Sequence, residues 1–294
     1  GLERARAGRV YFDGVDLLAL SPRQLLPYRR ALQIVFQDPM ASLDPRMRAR
    51  DIVAEGMISF RIGANDRERT ERVAELMRRV QLDPDQMGRY PHEFSGGQRQ
   101  RLCIARALAV GPRLLICDEA TSALDVSIQA QILNLLRQLQ DELQLSFLFI
   151  THDLGVVRYL ADRIAVMYLG QVVEEGSTER IFEAPQHPYT RALLAAIPAI
   201  DPARRQARAR VRGDVPSPAR PPPGCRFHPR CSEAQARCPI EAPPLFPWAD
   251  GRSRCFLAAQ PPSGGPAADQ PVRSTSDGRG SAPPREEPSS SEQS

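Results

Sequence analysis

Lysine is absent from this sequence of 294 residues, and all 39 of its basic residues are arginine. A phosphate-binding loop that ends in Gly-Lys-Ser or Gly-Lys-Thr, whose lysine reaches the terminal phosphates of a nucleotide, is therefore excluded from these residues. Long apolar runs are also missing, since Leu143 to Ile150 is interrupted by Gln144 and Ser146. Because a membrane-spanning helix needs roughly 20 apolar residues, the sequence predicts no such helix.

Concentrated charge is missing as well. The net charge is +4 and is spread along the chain, with a local excess only in tracts such as Arg204 to Arg212. A nucleic-acid-binding protein would need a concentrated basic face, so we expect no nucleic-acid partner. The first residue is Gly1 and no segment resembles a secretory signal. We therefore expect a chain that is not exported and whose natural N-terminus lies outside this sequence.

The six cysteines fall into two groups. Cys103 and Cys117 sit alone in apolar stretches, which predicts buried core positions. The other four crowd into one short region, and in a chain without an export signal this grouping favours a metal or a cluster over disulfides. These four are Cys225, Cys231, Cys238 and Cys255.

Residues 1–176 alternate short β-rich runs with amphipathic helices, which is the pattern of an α/β domain with a mainly parallel sheet. Arg113–Cys117 and Leu145–Ile150 are predicted to be buried strands. The helix Ser127–Leu143 lies between them and completes a βαβ unit.

Two further strands, Arg163–Leu169 and Gln171–Glu175, either continue this sheet or form a hairpin beside it. Upstream, a helical subdomain is predicted at about residues 45–110, because three helices follow one another without strands. These helices are Asp51–Met57, Thr70–Val80 and Gln98–Ala109. Composition then predicts a cysteine-rich extension at 177–258 and a disordered Pro/Ser-rich tail at 259–294.

The segment Leu114–Glu119 (LLICDE) is a predicted strand that ends in two adjacent carboxylates. At the carboxyl end of a parallel strand, where open α/β sheets bind ligands, Asp118 can hold Mg²⁺ and Glu119 can orient an attacking water. Taken alone, a strand followed by an acidic turn is at least as good an interpretation.

The segment Phe94–Arg101 (FSGGQRQR) leads into an apolar helix. Ser95 can cap this helix while Gly96 and Gly97 leave backbone N–H groups open, which predicts an anion site for phosphate oxygens. A Ser-Gly-Gly turn by itself is usually only a cap, but the QRQR that begins at Gln98 favours the anion site.

Three smaller pieces fall in chain order. Gln37 lies in VFQDP, Asp125 closes the SALD turn that begins at Ser122, and His152 follows the second predicted strand. A lone histidine at a strand end is more often structural than catalytic. His152, however, stands one strand away from the carboxylate pair, where a donor can reach a terminal phosphate.

This ordered set of Q-loop, SGGQ signature, Walker B strand, D-loop and H-loop resembles the ATP-binding cassette family. The resemblance implies an α/β, P-loop NTPase-type cassette with a mainly parallel sheet and a helical signature subdomain. The stretches IVFQDPMASLDPR, RYPHEFSGGQRQRLCIARAL, SALDVSIQAQILNLL and QHPYTRALL further resemble ATPase subunits of the oligopeptide and dipeptide permeases, and most of all the second of their paired ATPases. The resemblance covers about Gly1 to Cys255.

The resemblance implies ATP and Mg²⁺ as cofactors and a role for each matching residue. Glu119 would polarise the attacking water, His152 would contact the γ-phosphate, and Gln37 would contact both Mg²⁺ and that water. Asp118 would order Mg²⁺ through water, and Asp125 would line a dimer interface. The signature residues that would bind the γ-phosphate of a partner's ATP are Ser95, Gly96, Gly97 and Gln98.

The sequence departs from the family at the phosphate loop, which cannot be present without lysine. The family's adenine-stacking aromatic near the N-terminus is missing too. Because Gly8–Gly14 resembles the segment after the phosphate-loop helix, we expect an N-terminally truncated cassette that is poorly stable and inactive alone. Ala120 replaces the usual proline, with little expected effect.

The four clustered cysteines follow the spacing of the C-terminal extension in these permease ATPases, where four thiolates are associated with a [4Fe-4S] cluster. Zinc also suits four thiols in a reduced compartment, and His228 is an available further ligand. Four free thiols in a small proline-rich cap are the remaining alternative.

The sequence therefore predicts an energy-coupling ATPase subunit of a peptide importer, peripheral at the cytoplasmic face of the membrane. Its partners would be a paralogous ATPase subunit, two membrane-spanning subunits and an external solute-binding protein. Nickel or another small solute is an alternative cargo. A non-hydrolysing protein that completes only a partner's ATP site is an alternative function, whereas the cysteine extension disfavours a translation or repair ATPase.

Overall fold

The structure is a computed structural model that describes residues 5–122, 124–197 and 213–259. Regular structure begins with a short antiparallel hairpin in which Tyr11 pairs with Asp16. Arg113 forms an ion pair with Asp13 in the turn of this hairpin. The first elements are β1 (Tyr11–Phe12), β2 (Val15–Asp16) and α1 (Leu26–Ala31).

A three-stranded parallel sheet follows, in the order β3-β4-β5. Its strands are β3 (Leu32–Val35), β4 (Leu114–Asp118) and β5 (Ser146–Ile150). Val35 pairs with Cys117, and Asp118 pairs with Ile150, so the carboxyl ends of the strands lie at one edge. The two strands predicted from the apolar runs are confirmed, with bounds shifted by one residue, and so is the α/β class.

The chain between β3 and β4 is helical, as its uninterrupted helical periodicity predicts. The helices are α2 (Pro39–Ser42), α3 (Ala49–Ser59), α4 (Asp66–Arg79) and α5 (Gly96–Leu108). Their apolar faces form one core with the parallel sheet, through side chains such as Met57, Met77 and Leu102. Cys103 and Cys117 are buried in this core, which confirms their predicted positions.

Helix α6 (Val126–Leu143) connects β4 to β5 and completes the predicted βαβ unit. It buries Ile132, Leu135 and Leu139 in the same core, because these residues recur on one face at helical spacing. The helix ends at Gln144, whose φ of 53° lies in the left-handed region.

Helix α7 (Leu154–Leu160) leads into a second sheet, which is antiparallel and has the order β6-β7-β9-β8. Its strands are β6 (Arg163–Tyr168), β7 (Gln171–Ser177), β8 (Phe246–Trp248) and β9 (Gly251–Ser253). The strands β6 and β7 form the hairpin that was one of two predicted alternatives. Glu174 of β7 pairs with Ser253 of β9. The predicted domain boundary at residue 176 therefore falls inside β7, and residues before and after this boundary belong to the same sheet.

Helices α8 (Thr178–Glu183) and α9 (Pro188–Ala195) follow β7. Phe227, in the extension, packs against Tyr168 and Tyr189 with ring centroids 5.3 and 5.4 Å apart. Gly224 allows a close crossing of two backbone segments, because a Cβ there would lie 2.3 Å from the carbonyl oxygen of Cys238. The contacts of Phe227 connect the extension to the hairpin and to α9.

The tail predicted to be disordered lies outside the described residues, apart from Ala259. In the described part of the chain, no helix combines the length and the apolar character needed to cross a bilayer.

Candidate functional site

Three of the predicted site residues meet at the carboxyl edge of the parallel sheet. Gln37, Glu119 and His152 follow β3, β4 and β5 in turn. The Nε2 of Gln37 donates to Oε2 of Glu119 at 2.7 Å, and Nδ1 of His152 lies 3.3 Å from Oε1 of the same carboxylate. The fold therefore brings together residues that are 82 and 33 positions apart in the chain.

This group is open to solvent, since the side chains of Glu119 and His152 are 29% and 74% exposed. A carboxylate in this position can accept a proton from a water molecule, while the amide of Gln37 fixes its orientation. Asp118 is the last residue of β4, immediately before Glu119, and both carboxylates lie at the same edge. Proteins usually bind Mg²⁺ with one or two carboxylates, and the ion keeps several water molecules as its other ligands. These residues therefore fit that ion.

The backbone of Glu119 is constrained where the strand ends. Its φ of 46° lies in the left-handed region, which costs a residue with a side chain about 1–2 kcal/mol. The N–H of Glu119 donates to the carbonyl oxygen of Ile150 at 2.9 Å, and its own carbonyl accepts from Oγ of Ser122 at 3.0 Å. These bonds hold the chain in a sharp turn after β4.

The signature segment forms the start of α5. Ser95 and Gln98 make a reciprocal cap: Oγ of Ser95 accepts from the Gln98 N–H at 3.3 Å, and Oε1 of Gln98 accepts from the Ser95 N–H at 2.9 Å. Gly96 and Gly97 occupy the first turn, and Gly97 packs against Ile128 of α6. The start of this helix has the free N–H groups and positive dipole end that anions favour.

Asp125 caps α6, beside the signature segment. Its Oδ1 accepts from the Ile128 N–H at 3.0 Å and from Oγ of Ser127 at 2.7 Å. The hydrogen bond from the Ile128 amide is the main cause of a lowered pKa for Asp125, so this carboxylate stays ionised at neutral pH.

Sequence reasoning missed two residues beside His152. Oδ1 of Asp153 accepts from the Gly155 N–H at 2.8 Å and caps α7, while its Oδ2 accepts from Nε2 of Gln129 at 3.1 Å. Gln129 lies on α6, so this bond connects the chain after β5 to that helix. An aspartate followed by a short apolar helix was the available signal for the cap.

Within the residues that the structure describes, no hydrogen bond or ion pair connects Ser95–Gln98 with Gln37, Glu119 or His152. The chain thus carries two separate groups of candidate site residues: the carboxylate group at the sheet edge and the signature at the start of α5.

The four clustered cysteines line one small cavity, of about 10 Å³, in the extension. All four are free thiols. Burial raises the pKa of the Cys225 and Cys231 thiols and raises that of Cys255 to about 11, so without a cation these thiols stay protonated at neutral pH. In the ranges described, no three His, Cys, Asp or Glu side chains are close enough together to hold a metal ion. The predicted iron–sulfur cluster therefore stays a prediction.

Two histidines line the same cavity. His228 approaches the carbonyl oxygen of Cys225 through Nδ1 at 2.9 Å, and because a carbonyl only accepts, this nitrogen carries the proton. His187 does the reverse, since its Nδ1 accepts from the Tyr189 N–H at 3.0 Å and so caps α9. Its backbone N–H donates to Oε2 of Glu174 at 3.0 Å. Burial lowers the pKa of His187 to about 4, so the ring is neutral.

The chain is similar to several known proteins. A family model described as "ABC transporter" matches residues 1–122, and one described as "Oligopeptide/dipeptide transporter, C-terminal region" matches residues 173–238. Over 254 residues, the chain is 51% identical to "Probable peptide ABC transporter ATP-binding protein y4tS" of Sinorhizobium fredii. The matched region covers 86% of this chain and 72% of that protein. It is 46% identical over 256 residues to "Dipeptide transport ATP-binding protein DppF" of Haemophilus influenzae, covering 87% of this chain and 78% of the relative.

Among solved structures, the chain resembles the dimeric ATP-binding cassette MJ0796 in a post-hydrolysis state bound to ADP and Pi. The TM-score is 0.53 and the sequence identity 30%, over 60% of this chain and 76% of the other.

Proposed function

The chain belongs to the ATP-binding proteins of the oligopeptide/dipeptide ABC transporters, and we propose that it serves as an energy-coupling ATPase subunit of a peptide importer. The names of two relatives, one for peptide and one for dipeptide transport, support this cargo class. The observation that carries the proposal is the group in which Gln37 and His152 flank the Glu119 carboxylate at the sheet edge.

We assign the hydrolytic roles to that group. In a site completed by the lysine that these residues lack, Glu119 would take up the proton of the attacking water, and Gln37 would orient the carboxylate. His152 would contact the terminal phosphate of ATP, and Asp118 and Gln37 would hold Mg²⁺. When bound, Mg²⁺ would neutralise charge on the phosphates. The exposure of Glu119 and His152 supports these roles because both side chains can reach a ligand from solvent.

The signature serves a second ATP site, held by a partner subunit. Ser95 to Gln98 have no bond to the carboxylate group in the described residues, which agrees with a signature that meets a nucleotide held by another subunit. The dimeric cassette to which the chain is similar supports such a pairing. We propose a paralogous ATPase subunit as the partner, with Asp125 lining the interface. The pair would act with two membrane-spanning subunits and an external solute-binding protein at the cytoplasmic face of the membrane.

The absence of lysine from these 294 residues bears on activity. In the nucleotide sites of this class, a lysine reaches the β- and γ-phosphates. We propose that the 294-residue chain by itself does not turn over ATP, and that it contributes its signature to a partner's site.

The four cavity cysteines form a candidate metal centre in the extension. Thiols are the donor type that iron–sulfur clusters and zinc both take, and four of them line this cavity, although in the described residues no three of them stand close enough together to hold an ion. We propose that Cys225, Cys231, Cys238 and Cys255 hold a [4Fe-4S] cluster. Analysis of iron, sulfide and zinc in protein purified without oxygen tests this assignment: zinc without iron would replace the cluster by a zinc site.

The decisive experiment on function is ATP hydrolysis by this chain mixed with an intact paralogous subunit. The native chain is compared with Ser95→Ala and Glu119→Gln. We expect stimulation that requires Ser95 but not Glu119, because the chain completes only the partner's site. Equal loss in both variants would show that its own carboxylate group also hydrolyses ATP. No stimulation by the native chain would contradict the proposal.

A further inference from the structure

His152 lies in a short connection between two elements of the fold. Residues 151–153 connect β5 to α7, and His152 is the middle one. Its side chain is 74% exposed, and in the described part of the chain its ring makes one polar contact, from Nδ1 to Oε1 of Glu119 at 3.3 Å. Because little packs against the ring, its approach to Glu119 depends on where the backbone of this connection lies.

Asp153 fixes that connection with its backbone and with both carboxylate oxygens. Its N–H donates to Oγ1 of Thr151 at 3.0 Å, so the residues on either side of His152 are bonded to each other. Its Oδ1 accepts from the Gly155 N–H at 2.8 Å. Its Oδ2 accepts from Nε2 of Gln129 at 3.1 Å, and hydrogen bonds to an ionised acceptor are stronger than those between neutral groups.

Gln129 itself has a fixed position near the start of α6. Its N–H donates to the carbonyl oxygen of Asp125 at 2.8 Å, and Asp125 caps the helix. The neighbouring Ile128 packs against Gly97 of α5. The bond from Gln129 therefore attaches Asp153 to a part of the fold that other contacts already hold.

Helix α7 is also attached to α6 away from His152. An apolar cluster joins the two helices, and it is formed by Leu133, Val156 and Leu160. Near the end of α7, the hydroxyl of Tyr159 donates to Oδ1 of Asn134 at 2.8 Å. The two helices should therefore stay packed together when the Gln129 bond alone is removed.

We propose that Gln129 is a positioning residue of the carboxylate group. It acts through Asp153, whose position determines whether the ring of His152 reaches Glu119. This inference rests on the hydrolytic roles proposed above for Glu119 and His152. Its test measures the position of the His152 ring and not ATP turnover, so the two proposals can fail separately.

Two single variants and one double variant test the bond. Gln129→Ala removes it, and Gln129→Glu replaces it by two carboxylates that repel each other. Combining Gln129→Glu with Asp153→Asn restores a bond in the opposite sense, because the asparagine amide donates to the introduced carboxylate. Asparagine is among the best N-cap residues, so α7 keeps its cap. Tyr159→Phe is the matched control, since it removes another side-chain bond between α6 and α7.

The measurement is the NMR resonance of the His152 ring Cε1–H in the full chain, with ¹³C-labelled histidine and at one pH. The chain has 4 histidines, so His152→Gln assigns the signal. Each protein is compared with the same protein carrying Glu119→Gln, which removes the charge beside the ring. Thermal transitions show that each variant folds.

We expect Glu119→Gln to shift the His152 resonance in the native chain. Gln129→Ala and Gln129→Glu should lose most of that shift, whereas Tyr159→Phe and the double variant should retain it. This pattern supports the positioning role.

Several outcomes overturn the proposal. A full shift in Gln129→Ala would show that His152 keeps its place without the bond. Equal losses in Gln129→Ala and Tyr159→Phe would show that the bond serves only the packing of α6 against α7. Loss in the double variant as large as in Gln129→Glu would also contradict the role of the bond. Absence of a shift in the native chain would show that the ring does not contact Glu119.

Discussion

A Cβ placed on Gly97 would lie 2.5 Å from Cγ2 of Ile128, a distance that side chains in contact do not reach. The second glycine of the signature is therefore required by packing between α5 and α6. This requirement is independent of any phosphate, and it means that the signature is held rigidly against the helix that Asp125 caps.

We accordingly predict that Gly97→Ala destabilises the protein by about 1–3 kcal/mol, the usual cost of forcing an added methyl group into a packed contact. Gly96→Ala is the matched control, because a Cβ there would meet Leu124 at an ordinary 3.8 Å. Urea unfolding of both variants checks this expectation. A Gly97→Ala variant as stable as Gly96→Ala would contradict the packing argument.

Ser95→Ala is expected to remove a helix cap and also a phosphate contact. Ser177→Ala is its matched control, since Oγ of Ser177 accepts from the Arg180 N–H at 3.3 Å, the same length as the Ser95 cap. Both variants should lose about 1 kcal/mol of stability. Only Ser95→Ala should abolish stimulation of a paralogous subunit's ATPase. Equal loss of stimulation in both variants would show that Ser95→Ala acts only by destabilising the fold.

Cys238→Ala is expected to lower the bound metal by at least half, because a thiolate-held centre needs its full ligand set. Cys103→Ala, at a buried core position away from the extension, should retain native metal content while losing stability. Metal analysis of both purified variants provides the test. Native metal content in Cys238→Ala would exclude Cys238 as a ligand.

The unfolding free energy should fall on acidification through the titration of His187. Burial lowers its pKa from 6.5 to about 4, so between these values the unfolded chain binds more protons than the folded one. The stability contribution is present above pH about 6.5 and is lost as pH falls towards 4, by about 3 kcal/mol in total.

Denaturant titrations of native protein and His187→Asn across this range isolate the effect. Glu174 has a raised pKa because of burial, so its contribution has the opposite sign, falling as pH rises. It is common to both proteins and cancels in their difference. Identical pH profiles would show that His187 titrates normally in the folded protein.

Much of this molecule could be predicted from sequence. The strands around LLICDE and LSFLFI, the helix between them and the strand-free helical segment follow from hydrophobic periodicity, which is a local property. The closeness of His152 to Glu119 was also predicted, because each follows a buried strand, whereas the strand Leu32–Val35 that places Gln37 beside them was not predicted.

The rest depends on contacts between distant segments. The pairing of β7 with β9 connects residues near 175 with residues near 252, and no local pattern indicates it. The tautomers of His187 and His228 depend on which backbone group each Nδ1 meets. The contact of Gly97 with Ile128 likewise follows from how two helices cross.

The pairing of Asp118 with Ile150 sets the alignment of β4 and β5, and the Glu119 N–H continues it with a bond to the Ile150 carbonyl. Each residue along a strand advances the chain by about 3.3 Å and reverses the face of the side chain. Inserting or deleting one residue within β5 would therefore move His152 out of reach of Glu119. Such a change would inactivate the site although all of its side chains would still be present. The alignment of the site residues therefore depends on strand length as well as on residue identity.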